Sequence, residues 1–301
     1  MLPSTGAPAL SEILASMSEE EAARLRFVLE RGIKIPPQPR VLAELRGLLN
    51  RREFDVRALA RVISQDPGVT AMLFKAVKST VYRQHHPFET VEQIIHALGT
   101  RETFNLVQAV ALTSATEIKK NRLAYEAFWT RSQAVAQLAM LIAEDRVAVC
   151  NIFPEQAYLA GMFHDCGVPV LMQRFSTYCQ EMHLGEQGRW IDLQEEDRKF
   201  NLDHCAVGYL LARHWSLPVF ICDAVHCHHE IASMGMHAAR TMVAILQLAM
   251  ELYYREQRVE NPEWAAVQDE VIAELGIHGD ALPEFIDEIL ERFHAQAEPV
   301  V

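Results

Sequence analysis

Apolar residues recur at three- and four-residue steps along most of the chain, and strictly alternating stretches are nearly absent, so the pattern predicts helices and almost no strand. The first periodic segment covers 11–31, with Ile13, Leu14, Met17, Ala22 and Leu25 along one stripe and Gly32 as its stop signal. It is expected to act as a packing arm or a partner surface. Pro36, Pro37 and Pro39 then remove backbone donors and predict a rigid bend. Short helices follow: one over about 40–50, one capped by Asp55 and running through Ser64, and one opened by Asp66-Pro67 and running to about Ser79. Thr90 starts a segment with Val91, Ile94, Ile95 and Leu98 on one face, Gly99 ends it, and 102–118 continues as an apolar helix.

A second bundle is expected from Tyr125 onward. Its parts are a long helix over 126–144, a helix opened by Pro154 that reaches His164-Asp165 and stops at Gly167, and a loop leading into a helix over 185–197. Helices near 203–215, 218–229 and 238–255 and a terminal helix opened by Pro283 complete the pattern. The expected organisation is an N-terminal extension (1–32), a central domain (33–230) with lobes over about 33–120 and 125–230, and C-terminal helices (231–301) that complete the second lobe.

Composition narrows the function classes. Half of the 301 residues are hydrophobic, enough for a sizeable core. The net charge of -12, with no basic cluster to offset it, would repel a phosphate backbone and argues against a nucleic-acid polymer as partner. No apolar run approaches the roughly 18 residues of a membrane span, and the opening lacks a basic-then-apolar layout. A cytoplasmic protein is therefore expected. The 6 cysteines form no CxxC pair, which reads as reduced, mostly buried thiols.

The chemistry concentrates in His164-Asp165, His204 and His228-His229, lying at or near the ends of three predicted helices. Imidazole and carboxylate together suit first-row divalent metals. Adjacent helical residues point about 100° apart, so His164 and Asp165 reach one centre only at a helix end. His204 shares a face with Gly208, Leu211 and Trp215, which turns it inward, and His228 and His229 continue the apolar face of Ile221 and Val225. The bland alternative is that these are buried, hydrogen-bonded histidines, or cations favoured by a helix C-terminus.

These residues, taken with their neighbours, resemble the HDOD family over roughly 33–230. The first half of the resemblance rests on Ile35-Pro36-Pro37-Gln38-Pro39, Ile63-Ser64-Gln65-Asp66-Pro67 with Leu73 in the following helix, Ser79, Tyr82, Ile94, Ala97-Leu98-Gly99 and Asn105-Leu106-Val107. The second half rests on Phe128-Trp129, the run from Leu159 through His164-Asp165 to Gly167, His204 with Gly208, Trp215-Ser216-Leu217-Pro218 and His228-His229. Lys78 departs from the usual asparagine. Trp129 and Trp215 are expected in the core.

HDOD domains are degenerate signalling relatives of the HD and HD-GYP metal-dependent phosphohydrolases, so the resemblance implies an all-α, two-lobed, HD-domain-like helical bundle. It also exposes departures at the metal site. Arg131 stands where the hydrolases place an early histidine, and Met250 aligns with their closing aspartate. A guanidinium cannot donate to a cation, and a thioether is a poor ligand for hard metals. Val168 replaces the lysine after the HD motif of HD-GYP enzymes, and no Gly-Tyr-Pro follows His229.

Two readings of the site stay open. Asp165, His204, His228 and His229 correspond to the ligands of one ion in the HD-GYP enzymes, so a single iron, manganese or zinc ion with His164 nearby is one. The other, simpler reading has no cofactor: Arg131 pairs with Asp165 and turns the site into a polar core. The implied function is a non-catalytic bacterial signal-transduction or scaffold module. No receiver, GGDEF or kinase segment is evident, so its regulatory partners are expected in trans. A residual phosphohydrolase or phosphodiesterase acting on a nucleotide, and a nucleotide sensor that does not hydrolyse its ligand, are the alternatives.

Overall fold

Helix starts follow their sequence signals closely. In the computed structural model, which describes residues 19–51, 55–78, 82, 88–116, 121–184, 190–234 and 239–297, the N-terminal half holds α1 (Glu19–Glu30), α2 (Arg40–Leu49), α3 (Val56–Ser64), α4 (Pro67–Ala76), α5 (Val91–Leu98) and α6 (Thr100–Ala115). Asp55 caps α3 by accepting from the Arg57 amide, and Asp66 caps α4 by accepting from Val69 with Pro67 at its first position. Thr90 and Gln93 form a reciprocal capping box on α5. Gly32 and Gly99 end their helices at φ of 73° and 97°. Ile13, Leu14, Met17, Ser79 and Ile118, and the side chain of Leu25, lie outside the described residues.

The second half is built on the long α7 (Arg122–Cys150), followed by α8 (Pro154–Phe163), α9 (Gly167–Arg174), α10 (Tyr178–Glu181), α11 (Leu193–Phe200), α12 (His204–His214), α13 (Val219–Cys227), a 3-10 turn at Ile231–Met234, α14 (Arg240–Glu256), α15 (Trp264–Glu274) and α16 (Leu282–Ala297). Helices α8, α14 and α16 pack on α7, while α6 packs on α8 and joins the two lobes. No strand occurs among the described residues. No helix among them is long and apolar enough to cross a membrane.

The arm reading of the first helix holds for its described part, which buries Ala22 and Val28 and packs on α12. Trp215, fully buried, clasps the proline bend to the second lobe. Its indole Nε1 donates to Pro36 O at 3.1 Å, and its carbonyl accepts from Gln38, Arg46 and Gln108 at 3.2, 2.9 and 3.5 Å. Trp129 is buried as expected.

The sequence reading needs correction at Gly167. The helix opened by Pro154 ends at Phe163, a turn follows, and Gly167 begins α9 instead of stopping α8. Its φ is not positive, so the glycine serves close approach, not a left-handed cap. A Cβ there would lie 2.1 Å from the carbonyl oxygen of His204. Gly161 does the same for α7 and α8, where a Cβ would sit 2.4 Å from Ala136 Cα. Helices α10 and α15 lie outside the segments that the sequence pattern marks as helical.

Candidate metal centre

Backbone packing brings the polar residues together. His164 and Asp165 lie in the turn between α8 and α9, His204 is the first residue of α12, and His228 and His229 follow α13. Asp203 fixes the start of α12 by accepting from the Ala206 amide at 2.7 Å. The glycine contact described above sets the His164-Asp165 turn directly against His204. The side chains of His164, Asp165, His204 and His228 are at most 1% exposed, and that of His229 is 7% exposed.

Each imidazole is anchored through Nδ1. His164 Nδ1 donates to Gly161 O at 2.6 Å and His228 Nδ1 to Val225 O at 2.8 Å. Carbonyls only accept, so these tautomers are fixed. His204 Nδ1 donates to the buried Glu196 carboxylate at 2.7 Å, and His229 Nδ1 to Glu263 at 2.8 Å. In the neutral imidazoles every Nε2 then presents a lone pair, and the Nε2 atoms of His204, His228 and His229 converge. Asp165 Oδ1 lies 3.2 Å from Nε2 of both His204 and His228, and His204 Nε2 lies 3.3 Å from His229 Nε2. His164 Nε2 is 3.0 Å from Asp165 Oδ2 but has no hydrogen-bond alignment to it.

Acceptors this close repel unless a proton or a metal cation lies between them. Adjacent donors on one ion with metal–nitrogen and metal–oxygen distances near 2.1 Å are spaced roughly 2.9 to 3.4 Å apart in octahedral or tetrahedral geometry. The observed spacings fall in that range, and the carboxylates and carbonyls on the far ring nitrogens are the partners that metal-bound imidazoles need. The residues fit a divalent ion. The same crowding perturbs the titrating groups. Burial alone would raise Asp165, but His164, His204 and His228 hold its carboxyl well below the usual range. Burial would lower His204, yet Cys205, Glu196 and Asp165 carry it well above its ordinary value. His164 is lowered, chiefly by burial.

Arg131 reaches the site from α7. Its side chain is 4% exposed, and Nη1 stands 3.8 Å from Asp165 Oδ2 without a hydrogen bond. Its guanidinium lies over the Trp190 ring at 4.1 Å, and Trp190 Nε1 donates to Asp165 Oδ2 at 2.8 Å. A loose ion pair braced by an aromatic ring thus stands on one side of Asp165. Met250 is buried on α14. Sequence reasoning missed Glu196, Glu263, Trp190 and Cys205. The first three come from segments with no periodic tie to the histidines, and in the sequence Cys205 reads as an ordinary buried thiol.

Comparison with known proteins places this arrangement. The HDOD domain matches residues 35–231, well over half of the chain. The chain belongs to the HDOD family. An HDOD domain protein from Geobacter sulfurreducens is 25% identical with a TM-score of 0.64, over 93% of this chain and 99% of that one. A protein from Shewanella amazonensis SB2B, assigned as a metal-dependent phosphohydrolase, shares the fold of this HDOD protein with a TM-score of 0.70 at 16% identity, over 93% and 98% of the two chains. A protein from Marinobacter aquaeolei VT8, assigned as a signal transduction protein, is 19% identical with a TM-score of 0.63, over 96% of this chain and 67% of that one. No curated protein matches.

Proposed function

We propose that this HDOD protein is a non-catalytic signal-transduction or scaffold module that acts through regulatory protein partners and holds a single divalent ion as a structural centre. The observation that carries the reading is closure: the converging donors are almost entirely removed from solvent, so a phosphoester has no path to Asp165 or His204 without opening the fold. Asp165, His204, His228 and His229 would hold the ion, with His164 beside them. Such an ion supplies a fixed positive charge that ties α8, α12 and α13 together. Arg131 places an immobile cation beside the other Asp165 oxygen, where a second ion would need anionic or imidazole donors. Two-metal phosphoester chemistry requires a pair of ions about 4 Å apart. The signalling role draws on HDOD membership and on the Marinobacter protein's assignment.

The second reading, a residual phosphohydrolase, is favoured by the donor set itself and by the Shewanella protein's assignment. Metal analysis of protein purified without chelators, then offered manganese, iron or zinc, separates the two together with a phosphodiester assay. One equivalent of ion and no turnover is expected. Two equivalents, or turnover abolished by His164→Ala, would overturn the proposal.

A further inference from the structure

Cys205 follows His204 in the first turn of α12, is 5% exposed, and stands apart from the buried thiols Cys166 and Cys222 in what it faces. Cys166 and Cys222 direct their sulfurs to backbone carbonyls, Gly208 O at 3.5 Å and Leu217 O at 3.6 Å. Cys205 Sγ instead lies 3.6 Å from His204 Nε2 and 3.9 Å from His228 Nδ1. Donor atoms of His204, Cys205, His228 and His229 all fall within 4.8 Å of one another. With metal–sulfur and metal–nitrogen distances near 2.3 and 2.05 Å, adjacent sulfur and nitrogen ligands stand roughly 3.1 to 3.6 Å apart on one ion. The His204 pair lies at the wide end of that range.

We propose that Cys205 is a thiolate ligand of this centre, so that the site takes a thiophilic divalent ion such as zinc, or cobalt in its place, in preference to manganese or magnesium. The inference rests on the metal reading given above. On binding, the metal–sulfur bond forms and the thiol proton is released to solvent. A soft sulfur donor beside imidazoles shifts selectivity toward zinc and away from the hard ions that oxygen-rich sites prefer. Without a metal the same sulfur makes only a weak S–H hydrogen bond to His204, and the two states differ in a spectroscopic signature.

The test is a titration of the full chain with cobalt(II). A near-ultraviolet sulfur-to-cobalt charge-transfer band is expected at one equivalent, together with visible ligand-field bands. Cys205→Ser should remove the first while keeping the second, and Cys166→Ser and Cys222→Ser should keep both. X-ray absorption of the zinc-loaded wild type, which needs no variant, should show one sulfur at about 2.3 Å. Cobalt bound with ligand-field bands alone overturns the thiolate and leaves the metal reading standing. A charge-transfer band that survives Cys205→Ser assigns the sulfur elsewhere and overturns the inference too. No cobalt or zinc binding at all removes both.

Discussion

Replacing Glu196 is the sharpest probe of how the centre is held. Its carboxylate is fully buried and serves three donors: the His204 amide at 2.9 Å, His204 Nδ1 at 2.7 Å and the Tyr178 hydroxyl. Glu196→Ala strands all three. An orphaned buried donor costs about 1–3 kcal/mol, offset by relief from burying a charge, and removing one partner of a buried charged cluster costs about 3–5 kcal/mol net. Glu196→Gln behaves differently. Its amide oxygen still accepts both His204 donors, its NH2 faces a tyrosine hydroxyl that can turn to accept, and only the charge assistance goes, about 1–2 kcal/mol. Urea denaturation of the metal-free proteins measures both. If the centre holds an ion, Glu196→Gln should also weaken its binding about 10- to 100-fold, because Glu196 orients His204. An alanine variant within about 1 kcal/mol of wild type, or equal losses in the two variants, would refute the account of Glu196 as the strut under His204.

Gly167→Ala pushes a methyl to within 2.1 Å of His204 O; separating two backbones should cost about 3 kcal/mol, and a melting temperature unchanged from wild type would show that the helices move apart freely. Glu155, in the first turn of α8, has its carboxyl raised by burial and then by Glu102. A folded-state value above the unfolded one means that folding favours the protonated acid, so stability is lost as pH climbs from the unfolded value through the folded one. Glu155→Gln should therefore stabilise the protein at pH 7 and bring no gain near pH 4. Thermal melts at the two pH values check this, and a pH-independent difference would contradict it. Asp66→Ala removes the side-chain cap that accepts from the Val69 amide at 3.0 Å and should cost about 1 kcal/mol in chemical denaturation.

How much of this was legible beforehand depended on range. Caps at Asp55, Asp66 and Thr90, the stops at Gly32 and Gly99, and the helix-only composition follow from local backbone rules, and a linear sequence states those directly. The His164-Asp165, His204 and His228-His229 set was also readable, because helix-end placement and inward faces are periodic properties. What the sequence could not state is distance. The donors converge because Gly161 lets α8 approach α7, and Gly167 lets α9 approach α12, at backbone contact, and a glycine's role as spacer shows only once its neighbour is in place. The same holds for Glu196 and Glu263, whose part in orienting His204 and His229 is set by helices folding back across 8 and 34 residues. Arg131 is visible as a substitution, but its perch on the Trp190 ring, 3.8 Å from Asp165 Oδ2, belongs to the tertiary structure. Sequence therefore determined which groups were available and on which helix faces. Packing decided which of them meet, because contact between distant segments is fixed by how closely whole helices can approach.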